Sequence, residues 1–451
     1  MERFSMSIKV ATIIVIALLL MIPKEMIEST VGERQERNLY AFNEASLGWG
    51  GEQTVSGIIL YVPVVYETIV EKKKEVKTDG NIETEIVKES VRTVKYLHIL
   101  PEKLNVNSVI RPVIKYRSIY EFIFYETEND VSGKFLLKDI ADYNIGDGII
   151  KWEEAGIVMG IESMEGISEA VQVVFNENNY SMEQNNYFKD IFESELSSKV
   201  KMNYAANKAI DFKYKINLKG SSKLSFLPLG KINSFSMTSP WKDPSFFGNF
   251  IPVASDITEK GFNADWNILD LNRNYPQSWI SCNAKENVLG SKFGVKLINP
   301  VDDYCKIHRA VKYLFLFITL TFAMSFLTET IQKRRVHPIQ YLLVGAAVSI
   351  FYILLLSISE HIVFDLAYAI SAFSVSAMLS LYSLSVLKSR KFGFLIGTTT
   401  IVLYLFLFVL LKNQDYSMLL GSIGLFVSLS IIMYATRKTD WYAVRRSHED
   451  S

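Results

Sequence analysis

The sequence predicts an α-helical integral membrane protein with a large, predominantly β exported domain and six transmembrane helices. Three observations carry this. Apolar segments at 311–328, 339–358, 366–387, 392–411 and 418–434, with a shorter one at 8–22, approach the roughly 20 helical residues that cross hydrocarbon. Basic clusters recur at every other segment boundary: Lys333, Arg334 and Arg335, then Lys388, Arg390 and Lys391, then Arg437, Lys438, Arg445 and Arg446. Between the first and second apolar segments lies a long charged stretch rich in β-branched and aromatic runs. A hydrophobic content of 49% and a mean hydropathy of +0.16 average these two unlike materials.

At the N-terminus, Arg3 and Lys9 precede the apolar run 10–22, and the chain continues Pro23-Lys24-Glu25-Met26 without a small-x-small cleavage site. Residues 1–23 are expected to be an uncleaved signal anchor, with a cleaved leader as the alternative. Phe4 to Ser7 would lengthen the span once Lys9 snorkels toward headgroups.

Residues 24–308 read as one β-rich extracytoplasmic domain. Strands are expected at 55–70 and 87–99, around the turn chemistry of Lys77-Thr78-Asp79-Gly80-Asn81, and at 109–125, 156–164, 210–219 and 294–298. The three- and four-residue spacing of Ile191, Phe192, Leu196 and Val200 predicts a helix over 189–203. Gly48-Trp49-Gly50-Gly51 lacks the Lys-Ser/Thr of a phosphate loop, and Gly146-Asp147-Gly148 lacks a full dinucleotide fingerprint, so sharp turns or close backbone approach are expected. Cys282 and Cys305 both fall on the exported side, either bridged or as two separate thiols.

A five-helix bundle over 309–436 and a tail over 437–451 complete the chain. In the bundle Gly345, Ala346, Ala347 and Ser349 predict close helix approach. Tyr341, Tyr352, Tyr368, Tyr382 and Tyr404 supply polar groups within or near the spans. Glu329 is expected to form a cytoplasmic-side ion pair ahead of Lys333. The short loops 359–365 and 412–416 carry Glu360 and Asp365, and Lys412 beside Asp415. With six crossings, both termini are expected to be cytoplasmic.

Function classes narrow by elimination. The formal net charge of +0, without a basic stripe or zinc-finger spacing, argues against nucleic acid as a partner. His98, His308, His337, His361 and His448 are dispersed, and neither His-Glu-x-x-His nor Gly-x-Ser-x-Gly occurs. No enzyme, metal or other cofactor is expected.

Local motifs then add a resemblance. Arg37, Gly48 through Gln53 and Gly57 through Pro63 resemble the opening of the CreD inner-membrane family of cell envelope integrity proteins. The likeness continues through Tyr116-Arg117-Ser118-Ile119-Tyr120, Pro240 through Phe246, Gly261 through Trp266 and Asn272 through Gln277. It is most specific at Pro300 through Tyr304, His337 through Gly345 and Ser357 through His361, followed by Gln414-Asp415-Tyr416 and Thr436 through Tyr442. Ile58-Ile59 after Gly57 departs from the proline common there. The resemblance implies an anchored N-terminus, a large exported domain, a helical membrane region and a role in envelope integrity or envelope stress, without catalytic residues.

The sequence therefore predicts a non-enzymatic envelope protein, with a transporter or transporter accessory as the alternative. Expected partners are the lipid bilayer and envelope proteins or peptidoglycan-related components. Candidate structural and coupling residues are Trp49, Arg273, Trp279, Asp302, Asp303, Tyr304, His337, Gln340, Glu360, His361 and Asp365. Arg273 is expected either to make charge-assisted bonds at a domain seam or to organise the Pro276 turn. Glu360, His361 and Asp365 either form a polar cluster that binds a cation or docks a loop, or simply terminate a helix. His337 lies about 30 Å from them, at the far end of one span.

Overall fold

The computed structural model describes residues 6–78, 81–185, 188, 191–192, 194–205, 208–280, 285–297, 303–332, 336–413 and 416–437. They divide into two compact units, one made of residues 1–40 and 301–451, the other of residues 41–300.

Among the described residues the β unit contains three sheets. In the eight-stranded sheet the order is Ala254–Thr258, Gly261–Leu269, Ile232–Ser239, Lys103–Arg117, Tyr120–Leu136, Ala209–Ser221, Gln172–Phe175 and Asn178–Ser181. Burial alternates residue by residue over 103–111 of Lys103–Arg117 and through most of Ala209–Ser221 and Gly261–Leu269, as a sheet with one covered face requires. Trp266, Phe235, Phe135 and Phe175 fill that face at 2% exposure or less. A second sheet runs Glu183–Asn185, Glu195–Lys199, Gly156–Gly160, Ile59–Thr78, Asn81–Ile99 and Ser278–Ile280, with Ile149–Ile150 also on Ile59–Thr78. Gln53–Val55, Lys223–Phe226, Phe293–Leu297 and Pro244–Gly248 form the third.

The hairpin legible around residues 77–81 is a long one. Ile59–Thr78 and Asn81–Ile99 pair from Leu60↔Ile99 to Thr78↔Asn81; Asp79 and Gly80 lie outside the described residues. The helix expected over 189–203 is absent: Glu195–Lys199 is a strand antiparallel to Gly156–Gly160. Ile191, Phe192, Leu196 and Val200 are all buried in the β core, and their spacing comes from a turn leading into a strand of the sheet, not from a helical face. Phe192 lies so close to Gly160 that a Cβ there would fall 2.2 Å from its ring.

Gly48-Trp49-Gly50-Gly51 is a turn, with Gly50 at φ 105° and Gly51 at φ 62°. A Cβ on Gly50 would sit 2.6 Å from Gly166 Cα, so this position combines positive φ with close backbone approach. Gln53 Nε2 locks the turn by donating to the carbonyls of Gly50, Ser163 and Lys219.

Met6–Leu19 of the helical unit is followed by Met21–Leu47, whose last seven residues belong to the other unit. The helix thus continues through Pro23, where the sequence reading began the exported domain. Pro23 falls in the first turn of the second segment, where a missing N–H costs little. Asp303–Lys312 and Leu314–Gln332 stand where one span over 311–328 was expected, bent by 45° at the break. Pro338–Ser359, Phe364–Leu387, Arg390–Lys412 and Ser417–Thr436 follow. Among the described residues four helices are long and apolar enough to cross a membrane, five if the bent pair is one span, and Leu419–Ile431 is a shorter apolar run. Gly345 admits the N-terminal helix: a Cβ there would lie 2.1 Å from Leu20 Cδ1.

His98 sits in the β core at 5% exposure, stacked on Trp279 at 5.4 Å and edge-on to Phe188 at 5.1 Å. Burial pushes its imidazole down to about 4. The native state keeps it neutral while the unfolded chain protonates near 6.5, so stability is undiminished above that pH and falls as pH drops toward 4. The expected loss is about 3 kcal/mol at roughly 1.4 kcal/mol per pH unit. Thermal unfolding of the His98→Phe protein, followed by near-ultraviolet circular dichroism, should show a correspondingly flatter profile between pH 6.5 and 4.

Candidate functional site

Paired charges of the helical unit gather at two places. At one, Glu329, near the end of Leu314–Gln332, meets Lys9 of the first helix in an ion pair between residues 320 positions apart. Glu329 also accepts from Tyr341 Oη at 2.8 Å and from the Val336 N–H at 3.0 Å. The carboxylate side chain is 9% exposed and Lys9 19%. A buried charge persists when a counter-charge and further donors satisfy it, and Glu329 has all of these. Lys9 is therefore an interhelical partner, in place of the snorkelling cation expected from sequence. Lys333, Arg334 and Arg335 lie outside the described residues. Ile16, Leu20, Phe322 and Tyr341 belong to the same buried cluster.

At the other place, Glu360, at the end of Pro338–Ser359, accepts from Tyr304 Oη at 3.3 Å and pairs with Arg34 Nη1 at 3.6 Å. Its side chain is 10% exposed. Asp365 pairs with Lys412 at 2.7 Å, Asp303 with Lys306 at 3.2 Å, and Glu28 with His308 at 3.7 Å. Ile27 and Val31 pack into one cluster with Ile307, Ala310 and Val311, so Met21–Leu47 is seated on Asp303–Lys312 by an apolar stripe edged with polar pairs. Gln35 Nε2 donates to Cys305 Sγ at 3.6 Å. Cys282 and Asp302 lie outside the described residues, and His361 is exposed.

His337 and Gln340 serve the helix between these two places. His337 Nδ1 accepts the Ile339 N–H and Gln340 Oε1 accepts the His337 N–H, a capping box ahead of Pro338. That helix has 22 residues, about 33 Å at 1.5 Å per residue, which separates His337 from Glu360 as the sequence spacing implies.

Within the β unit, Arg273 organises its own turn. Nη1 donates to the Tyr275 carbonyl at 2.9 Å, Nη2 donates to Gln277 Oε1, and the guanidinium lies 4.3 Å from the centre of the Tyr275 ring. Gln277 Nε2 in turn donates to the carbonyls of Leu100 and Pro101. Trp279 is the stacking partner of His98. Trp49 has Lys115 Nζ and Lys219 Nζ over its ring at 4.7 and 5.0 Å and packs on Phe124. These positions hold the β unit together.

Among the described residues no group of three His, Cys, Asp or Glu side chains is arranged to hold a metal. Sequence reasoning missed Lys9, Arg34 and Tyr341 as partners, since each is paired only through the fold. The available signal was the charge itself: an ionisable residue at the edge of an apolar run calls for a counter-charge.

The sequence profile of the family Inner membrane protein CreD matches residues 5–442. The inner membrane protein CreD of Escherichia coli strain K12 is 28% identical over 447 residues, covering 94% of this chain and 91% of that protein.

Removing one partner of the Glu329 pair leaves the other charge buried. Lys9→Met and Glu329→Gln should each lower unfolding stability of the detergent-solubilised protein by about 3 kcal/mol. The double variant should lose clearly less than the sum of the two, as read by thermal melts in a double-mutant cycle.

Proposed function

Because the chain belongs to the CreD family of inner membrane proteins, we propose that it supports cell envelope integrity without catalysis, its β unit exported as a sensor or scaffold whose state reaches the helical unit. One observation carries the reading: both ends of the chain converge in one helical unit, through Lys9–Glu329 and Arg34–Glu360. The β unit is therefore an insertion between two helices of that unit, Met21–Leu47 on entry and Asp303–Lys312 on exit. A load or ligand on the insertion has two covalent routes into the membrane. Polar pairs among Arg34, Tyr304, Glu28, His308 and Glu360 join those two helices and the end of Pro338–Ser359.

Charge supports the exported orientation. The Asp365–Lys412 pair neutralises the end that holds Glu360, while Lys388, Arg390 and Lys391 sit between the two following spans, the bias expected of a cytoplasmic face. Six crossings with both termini cytoplasmic follow. The buried Lys9–Glu329 pair favours one second reading, a transporter, because ionisable groups inside a bundle often line solute paths. Saturable solute uptake by the purified protein in sealed vesicles would select it over a scaffold.

A clean deletion, tested under induced envelope stress, should change sensitivity to detergent and cell-wall antibiotics, and the full-length chain should restore it. Reporter fusions at Lys242 should read outside and at Ser389 inside. Unchanged drug and detergent responses would reject the role, and a cytoplasmic Lys242 reporter the orientation.

A further inference from the structure

The turn between Phe364–Leu387 and Arg390–Lys412 gathers charge that nothing nearby answers. Lys388, Arg390 and Lys391 are exposed, and none has an ion-pair partner among the described residues. The following helix has no acidic residue in its first turn and no side-chain cap from Ser389, so its positive end adds to the same charge.

A cavity of about 30 Å³ lies among Leu314–Gln332, Pro338–Ser359, Phe364–Leu387 and Arg390–Lys412. Val344, Val386 and Ile396 give it an apolar wall, and Tyr382 and Ser383 give it hydroxyls. Ser383 is 5% exposed, and its hydroxyl has no hydrogen-bond partner among the described residues. Ser376 Oγ, Tyr352 Oη and Tyr404 Oη are sealed without a partner in the interior and Ser383 Oγ is not one of them, so the Ser383 hydroxyl stays open to a hydrogen-bonding ligand in the cavity it lines. Val386 and Ile396 flank the cationic turn in the chain, so the same two helix ends supply the cations and part of the cavity wall. Those ends approach closely: a Cβ on Gly393 would lie 2.5 Å from the Leu384 side chain, and Ser380 Oγ donates to the Gly393 carbonyl at 3.2 Å.

We propose that this is a binding site for one anionic phospholipid. Lys388, Arg390 and Lys391 take the phosphate, the Ser383 and Tyr382 hydroxyls donate to ester oxygens, and the apolar wall receives the first methylenes of an acyl chain. Three chemistries stacked in that order match the headgroup, glycerol and tail of a lipid standing at a membrane interface. A phosphatidylcholine carries its own ammonium beside the phosphate and leaves the three cations unanswered.

Lys388 also supplies a control. It closes its helix at φ 48°, the left-handed conformation in which glycine is preferred, so Lys388→Gly removes a cation while relieving the backbone.

The test is native mass spectrometry of the full-length protein, delipidated in detergent and titrated with phosphatidylglycerol or phosphatidylcholine of matched chains. The wild type should retain one phosphatidylglycerol in preference to phosphatidylcholine. Lys388→Gln, Arg390→Gln and Lys391→Gln together should weaken that retention about a hundredfold, at roughly fivefold per cation, with phosphatidylcholine unaffected. Lys388→Gly should cost about fivefold in retention while the melting temperature holds or rises. Ser383→Leu, which fills the cavity, should weaken retention with all three cations intact; if it fails to fold, Ser383→Val takes its place. Equal retention of the two lipids by the wild type, or wild-type retention by the triple variant, would overturn the site. Displacement of the lipid by millimolar inorganic phosphate would reassign the cations to a free anion and overturn the lipid assignment.

Discussion

A charge inside a helical bundle must find its counter-charge there, and the Lys9–Glu329 pair is where this chain meets that condition. The carboxylate is held by an ammonium from one end of the sequence, a phenol from Pro338–Ser359 and a backbone N–H between two helices. Apolar contacts of Ile16 and Leu20 with the same cluster are interchangeable with lipid contacts, because hydrocarbon solvates leucine as well as another helix does. An ion pair is not interchangeable in that way. It fixes which helix the N-terminal segment joins and at what depth. The rest of the helical unit, including the Arg34–Glu360 contact some 25 residues further along the same helical stretch, inherits its register from that choice.

The β unit obeys a different physics. Its sheets are specified by alternating burial and by backbone contacts so tight that only glycine fits, as at Gly50 against Gly166 and at Gly160 beneath Phe192. Arg273, Gln277, Trp49 and Trp279 belong to that economy of contacts: a guanidinium that organises a turn, an amide that caps strand ends, an indole beneath two ammonium groups and an indole stacked on His98. Their distinctiveness in sequence reflects how few alternatives satisfy those sites. Glu360 and Tyr304, by contrast, bond across helices, which suits them to carry a change from one element to another.

What was legible in the sequence was whatever is local or periodic. Apolar length announced helices, and turn residues between β-branched runs announced the hairpin of Ile59–Thr78 with Asn81–Ile99. Glycines in Gly48-Trp49-Gly50-Gly51 announced a sharp turn, and His337-Pro338 a helix start. Four things were not legible. Pairing of Lys9 with Glu329 joins residues 320 apart, and no local pattern encodes it. The helix Met21–Leu47 begins just ahead of Pro23, which its first turn tolerates, so the proline that read as an end of the apolar helix lies near a start. The strand Glu195–Lys199 mimicked a helix, because four apolar residues at three- and four-residue spacing also arise where a buried turn enters a strand. Sheet order was beyond reach, since it rests on partners far apart in the chain.

The most direct test of the account asks whether the first helix is held at Glu329 in the native membrane. Lys9→Cys and Glu329→Cys would be combined in a protein lacking Cys282 and Cys305, with a protease site inserted near Lys242, and membranes treated with a short bismaleimide before cleavage. The account predicts that the two fragments stay joined on a denaturing gel, and that either cysteine alone leaves them separate. Fragments that separate in the double variant as fully as in the single ones would contradict it.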